Sequence, residues 1–377
     1  MSDVFIISAV RSPLAIGRID GALASINSIN LTTYLMLEVL KRAGVEPRQV
    51  EEVIWGCANP IEEQGANLAR LASLKAGFPV EVPALTLNCM GGLSQQAIHF
   101  AAQAILSGEM DVVIAGGTEV MPRTPMGSHN SSSVSVDFPK KLDCQLEYAE
   151  RMAEKWQLSR AELDDFSYQS HQHACQAIQN GFFISQILSI SLPDGRVIQQ
   201  DEGVCRIPTR QELAELPPLI KEGGVVTAGN SCQIGNGSAA LILASAKAVG
   251  RYNLMPLARI VACTVTGSNP VLMLDGVIPA TYQILKRSHL TLEEIDIFEI
   301  NETFASVVLA WEKELQPNSV RINPNGGAIG LGHPLGASGA ILMTKLIYEL
   351  IRQSAHYGLQ TMSNGHGMAS ATILERV

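Results

Sequence analysis

The chain has 377 residues, 46% of them hydrophobic and 17% charged, with a formal net charge of −9. That is a globular balance with room for two or three domains, and the acidic excess argues against nucleic acid as the main partner. No run of about 18 apolar residues occurs, so no membrane span is expected.

The seven cysteines (57, 89, 144, 175, 205, 232, 263) are odd in number and not tightly spaced, which reads as reduced thiols in a cytoplasmic protein. Neither CxxC nor HExxH is present, so no metal site is expected. The opening Met1-Ser-Asp-Val-Phe-Ile-Ile-Ser-Ala-Val turns strand-like at once and leaves no room for a targeting segment.

In chain order, the first strand is expected over Val4–Ala9. Leu40-Lys-Arg-Ala-Gly-Val45-Glu-Pro-Arg-Gln-Val50-Glu-Glu-Val53-Ile-Trp55 reads as a helix end, a short loop, an acidic turn and a buried strand. Ser94–Ser107 carries apolar residues at Ala97, Ile98, Ala101, Ala102 and Ile105, a helical stripe, and a buried strand follows at Asp111–Gly117. A polar, Ser-rich loop, Ser128–Asp143, leads to two helices, Cys144–Gln157 and Arg160–Asn180, the second capped by Ser159. Gly-rich chain at Gly223–Gly229 precedes a strand at Asn236–Ala244, and another strand is expected at Ala258–Thr264.

Leu285-Lys-Arg-Ser-His-Leu290-Thr-Leu-Glu-Glu-Ile295-Asp-Ile-Phe298-Glu-Ile300 then repeats the Leu40–Trp55 pattern at an offset of 245 residues. A Gly-rich loop leads to a helix at Ala337–Ile351 and strands at Gly358–Met362 and His366–Leu374. The last two strands join by a tight turn, 363–367, where the first half uses roughly 120 residues, 118–236. The expected organisation is two similar α/β halves, 1–117 with 237–247 and 248–377, and an inserted loop domain, 118–236. Sites in such sheets collect at strand carboxyl ends and helix N-termini.

Three blocks carry the chemistry: Asn301-Glu-Thr-Phe304, Asn325-Gly-Gly-Ala-Ile-Gly-Leu-Gly-His333-Pro-Leu-Gly-Ala-Ser-Gly339, and Ser363-Asn-Gly365-His-Gly367. With Val10-Arg-Ser-Pro13, Gly65-Ala-Asn67-Leu-Ala-Arg70, Ala115-Gly-Gly-Thr-Glu119 and Thr227-Ala-Gly-Asn230, they resemble the thiolases, which make and break 3-oxoacyl-CoA thioesters. The resemblance spans the whole chain. It implies duplicated βαβαβαββ halves in a layered α-β-α-β-α core, coenzyme A or acyl-CoA as substrate or ligand, no tightly bound cofactor, a place in fatty acid metabolism, and a homodimer or homotetramer.

Thiolysis needs a thiolate, a base to generate it, donors for a thioester oxyanion and a second acid/base. The resemblance makes His333 the base and thioester-oxygen donor and Asn301 its partner in the oxyanion site. The two sulfur positions differ from the family. The register from Thr86 to Ile105 puts Gly91 where the nucleophilic cysteine belongs, with Cys89 two residues early. Gly91 keeps an N–H for an oxyanion. If the segment is extended, Cys89 lies about 6–7 Å along the same face, too far for hydrogen-bonded activation by His333; an inert Cys89 is the better reading. Ser363 replaces the second cysteine, and its hydroxyl is a poor acid/base near neutral pH. Gly365 retains an N–H, and His366 adds a titratable group with a surface or packing role as its alternative.

Around the pocket, Cys144-Gln145-Leu146 replaces the family's His-Met-Gly block. Ser231 and Cys232 fall on the pantetheine side by resemblance, and Arg206, Arg210 and Lys221 are candidate phosphate contacts or ordinary surface charges. The expectation is an acyl-CoA-binding protein of this family with ordinary two-cysteine thiolysis lost or impaired, and three functions are weighed for it. One is a working CoA acyltransferase. Another is a noncovalent CoA-thioester enzyme (decarboxylation, retro-Claisen cleavage or hydrolysis). The last is a non-catalytic subunit partnering an active thiolase, or a ligand sensor.

Overall fold

The computed structural model describes residues 3–128, 144–204 and 206–377. The Ser-rich stretch 129–143 and Cys205 lie outside these residues. The first half contributes β1 (Val4–Arg11), β2 (Ala15–Ile16), α1 (Ser28–Ala43), β3 (Glu52–Gly56), α2 (Leu68–Lys75), β4 (Ala84–Leu87), α3 (Leu93–Leu106) and β5 (Val112–Glu119). Then come α4 (Gln145–Lys155), α5 (Arg160–Gln179), β6 (Ile190–Ser191), β7 (Val197–Ile198), α6 (Arg210–Glu215), β8 (Gly235–Ser245) and α7 (Ala246–Tyr252). The remainder is β9 (Ala258–Gly267), α8 (Val277–Ser288), β10 (Ile297–Ile300), α9 (Ala305–Leu315), α10 (Ala328–Leu331), α11 (Ser338–Gln353), β11 (Tyr357–Asn364) and β12 (Met368–Arg376).

Local chemistry fixes several of these boundaries. Asn27 caps α1 by accepting from the N–H groups of Ile29 and Asn30, and Ser159 with Glu162 forms a capping box on α5. α1 stops at Gly44, with φ 65°, and α8 stops at His289, with φ 59°. The two left-handed caps stand at the 245-residue offset of the sequence repeat, so the repeat marks the same helix stop twice.

Ten of the described strands form one mixed sheet, in the order β10-β11-β12-β9-β1-β8-β5-β3-β4, with β2 paired to β8. β1 pairs antiparallel with β8, β8 antiparallel with β5, and β5 parallel with β3. β9, β12, β11 and β10 repeat that antiparallel, antiparallel, parallel succession. The two sets meet along β1 and β9, where Phe5 faces Arg259 and Ile6 faces Ala258.

Three apolar clusters separate the layers. α1 covers the first set through Leu31, Leu35, Met36 and Val39, against Val53, Trp55 and Ile242. α8 and α9 cover the second through Ile284 and Trp311, against Phe298, Leu359 and Ile373. Between the sets lie α3 and α11, with Ile98, Ile105, Ile341 and Leu346 in one cluster. Their approach depends on Gly339, where a Cβ would come within 2.4 Å of the Gln95 nitrogen. The Ala340 N–H donates to Ser94 Oγ at 2.9 Å across the same contact. The result is the layered α-β-α-β-α arrangement, with both central helices starting at one place, which builds the site.

Candidate active site

Two helix starts and two strand ends converge on one small cavity. The α3 start brings Met90 and Gly91, the loop before α11 brings His333 and Leu335, and the β11 end brings Ser363, Asn364 and Gly365. Thr303, Gln145, Met273 and Leu274 complete its wall, and its volume is about 20 Å³. Of the residues singled out in the sequence, His333, Gly91, Ser363 and Gly365 are thus brought together.

The loop carrying His333 is tied to the first half by a buried carboxylate. Glu119, at the end of β5, accepts from the N–H groups of Gly336 (3.0 Å) and Ala58 (2.8 Å) and from Gln64 Nε2 (2.9 Å). Gly336 itself has no room for a side chain, since a Cβ would lie 2.7 Å from the Thr118 carbonyl oxygen. His333 is buried, and its N–H donates to the Gln233 carbonyl at 2.9 Å.

The imidazole has a defined tautomer. Nδ1 lies 2.6 Å from Ser338 Oγ, and that hydroxyl donates its proton to the Pro334 carbonyl at 2.9 Å. A hydroxyl has one proton, so Ser338 accepts from Nδ1–H and Nε2 keeps its lone pair. Burial pushes the His333 pKa down to about 4, so the ring is neutral near pH 7. Asn301 Nδ2 stands 3.5 Å from Nε2 and donates to Thr303 Oγ1 at 2.8 Å, while its buried Oδ1 has no partner. Behind this pair Lys345 on α11 donates to Glu299 Oε2 on β10 at 3.1 Å and to the Gly326 carbonyl at 2.6 Å.

Cys89 is elsewhere, and the extended geometry expected for its segment is not observed. Met90 is left-handed, with φ 62°, and its N–H donates to Asn88 Oδ1 at 2.9 Å. That reversal separates the side-chain directions of Cys89 and Gly91. Cys89 Sγ donates to the Gly91 carbonyl at 3.1 Å and faces a different cavity of about 630 Å³, shared with His99, Cys263 and Arg287. Burial pushes its thiol up to about 11, away from thiolate character.

The other candidates disperse. His366 sits exposed in the β11–β12 turn, with φ 59°, and is not on the cavity wall. Cys232 is half-buried, its N–H bonded to the Thr303 carbonyl at 3.0 Å, and burial raises its thiol to about 12. Ser231 Oγ donates to the Thr227 carbonyl at 2.7 Å. Arg206, Arg210 and Lys221 are exposed and pair with Glu212, Asp165 and Glu154 respectively, so none is an unengaged cation.

Sequence reasoning did not single out Ser338, Thr303, Met90, Met273 or the Glu119 tie as site residues. Ser338 carried a signal: five residues after His333 at a helix start, it is one turn away. Chemically, the site offers a neutral, oriented base, a buried amide beside it, and two glycines, Gly91 and Gly365, on the cavity wall. It presents no thiol among the described residues.

The description "Thiolase, N-terminal domain" matches residues 4–247, and "Thiolase, C-terminal domain" matches residues 254–376. The chain is 42% identical over 391 residues to the steroid 3-ketoacyl-CoA thiolase FadA6 of Mycobacterium tuberculosis, covering all of this chain and 95% of that protein. It is 38% identical over 403 residues to a beta-ketoadipyl-CoA thiolase of Acinetobacter baylyi, covering both in full. Among solved structures, the Bacillus anthracis acetyl-CoA acetyltransferase superposes with a TM-score of 0.93 at 36% identity, over 100% of this chain and 99% of that one. Human mitochondrial 3-ketoacyl-CoA thiolase gives a TM-score of 0.90 at 33% identity over the same shares.

Proposed function

The chain belongs to the thiolase family, and on that premise we propose that it binds acyl-CoA thioesters at the His333 cavity without ordinary two-cysteine thiolysis. One observation carries this reading: the cavity holding His333 is walled by Gly91 and Ser363, and by no cysteine among the described residues. Losing the nucleophile of a triad-like site costs on the order of 10⁶ in turnover.

In this reading the N–H groups of Gly91 and Gly365 form the oxyanion site for the thioester carbonyl, with Asn301 and His333 beside it, His333 as base because its Nε2 carries a lone pair and no proton. Ser363 is a polar wall group. Ser231 and Cys232 border the pantetheine arm. Arg206, Arg210 and Lys221 meet CoA phosphates only by exchanging a carboxylate for a phosphate. The loop domain is 118–236, between halves 1–117 with 237–247 and 248–377. The protein acts in the cytoplasm as a homodimer or homotetramer.

A second reading is a non-catalytic subunit beside an active thiolase. The volume of about 20 Å³ favours it, because Met90, Met273 and Leu335 leave no room for an acyl chain as they stand. Calorimetric titration with acetyl-CoA and acetoacetyl-CoA, beside a thiolysis assay and intact-mass measurement, tests both. Binding without an acyl adduct or thiolysis supports the first reading. Thiolysis with an adduct on Cys89 overturns it, and absence of binding leaves the subunit reading.

A further inference from the structure

We propose that this site hydrolyses its thioester, with a water molecule beside Gly91, hydrogen-bonded to His333 Nε2, attacking the thioester carbonyl in place of a thiol. The inference rests on the acyl-CoA reading above and adds a reaction to it.

The position of a Gly91 side chain is ringed by polar backbone. A Cβ there would lie 3.2 Å from the Ser363 carbonyl oxygen, 3.5 Å from the Gly365 nitrogen and 3.1 Å from the Asn364 Cα. Those are near hydrogen-bond distances, one to an acceptor and one to a donor. A buried water needs two to four polar partners and about 10–15 Å³ of room. The cavity of about 20 Å³ has that room, and His333 lines the same cavity, from which the proposal takes its Nε2 as the third partner.

The base has the orientation the step requires. Ser338 takes the Nδ1–H, so Nε2 carries a lone pair able to accept a proton from water, with Asn301 Nδ2 a distant neighbour at 3.5 Å. Burial keeps the ring unprotonated at neutral pH, with its pKa near 4. Met90, Met273, Leu274 and Leu335 form the apolar part of the wall, beside the polar Gln145, Thr303 and Asn364. The methionines are its adaptable part, so a short acyl group enters with least displacement.

In the step, the water oxygen bonds to the thioester carbon and its proton passes to His333 Nε2. The carbonyl oxygen becomes an oxyanion, held by the N–H groups of Gly91 and Gly365. The carbon–sulfur bond then breaks, and the thiolate of CoA takes the proton back from Nε2. Acyl-CoA and water give a carboxylic acid and CoA, with no change of oxidation state.

The test measures free thiol release from acetyl-CoA and acetoacetyl-CoA by the full chain, with calorimetric binding and intact mass in parallel. Release without a protein adduct is expected. His333→Asn lowers it at least roughly 100-fold, the range of general-base catalysis. Gly91→Ala puts a methyl group in the water's place and lowers release at least about tenfold, with calorimetric affinity and melting temperature of the variant read beside it to separate lost catalysis from lost binding or folding. Cys89→Ala leaves release unchanged. Binding without thiol release overturns the hydrolytic step and spares the acyl-CoA reading. Release insensitive to Gly91→Ala and His333→Asn, or lost in Cys89→Ala, also overturns it. No binding to either thioester defeats both.

Discussion

His333 and Ser338 share one proton: imidazole Nδ1 stands 2.6 Å from the hydroxyl, whose own proton goes to the Pro334 carbonyl. Five residues of chain thus decide which ring nitrogen carries the proton. Ser338→Ala removes the acceptor and leaves Nδ1–H unpaired in a buried place. The expected result is a shift in ¹⁵N imidazole resonances from a single Nδ1–H form to a mixture, with a stability loss of about 1 kcal/mol. An unchanged tautomer in the variant would falsify the assignment.

Buried histidines give stability a pH slope. His333 is lowered to about 4 and His99 to about 3 by burial. Between those values and the usual 6.5 the unfolded chain binds the extra protons, so stability rises with pH through that window and falls on acidification. His333→Asn removes one such proton. The difference in urea-unfolding free energy between pH 4.5 and 6 should flatten by about 1.4 kcal/mol per pH unit. Equal slopes for the two proteins would show that His333 is already protonated in the fold.

In the proposed reading Gly91 stands where the family has a thiol. Gly91→Cys needs a small adjustment, since its Cβ would lie 3.1 Å from Asn364 Cα. After acetyl-CoA the variant should gain the mass of one acetyl group on residue 91, while the parent chain gains none. An adduct on the parent chain, mapped to Cys89, would reverse the site assignment.

Lys345 and Glu299 are a buried ion pair behind Asn301. Burial raises Glu299 to about 7 despite the lysine, and its Oε1 has no partner. Lys345→Met strands the carboxylate and should cost roughly 3–5 kcal/mol near pH 8. A raised folded pKa gives stability that is present at low pH and lost as pH rises through 7, so the penalty should shrink on acidification. Adding Glu299→Gln should recover part of the loss. Additive losses in the double variant would show that the two side chains are not coupled.

Thiol reactivity should follow burial. Cys144 is exposed, whereas burial pushes Cys89, Cys232 and Cys263 up to about 11, 12 and 12. Brief alkylation at pH 7.5 followed by peptide mapping should label Cys144 well before those three. Early labelling of Cys89 would mean an activated thiol at that position.

The sequence by itself determined the architecture and the sites of change. Period and caps marked the long strands between Val4 and Leu374 but not β2, β4, β6 or β7, and the repeat marked the shared stop at Gly44 and His289, because a helix end is set by local backbone chemistry. The resemblance to the thiolases, in the register from Thr86 to Ile105, implied that Gly91 stands at the nucleophile's position. What only the tertiary structure decided is which groups meet. The left-handed turn at Met90 sends Cys89 into another cavity. Ser338 sets the tautomer of His333, Glu119 ties the His333 loop to a strand more than 200 residues away, and Met90 and Met273 narrow the cavity. Those outcomes depend on side-chain direction and on contacts between distant segments, which the spacing of residues along a chain does not encode.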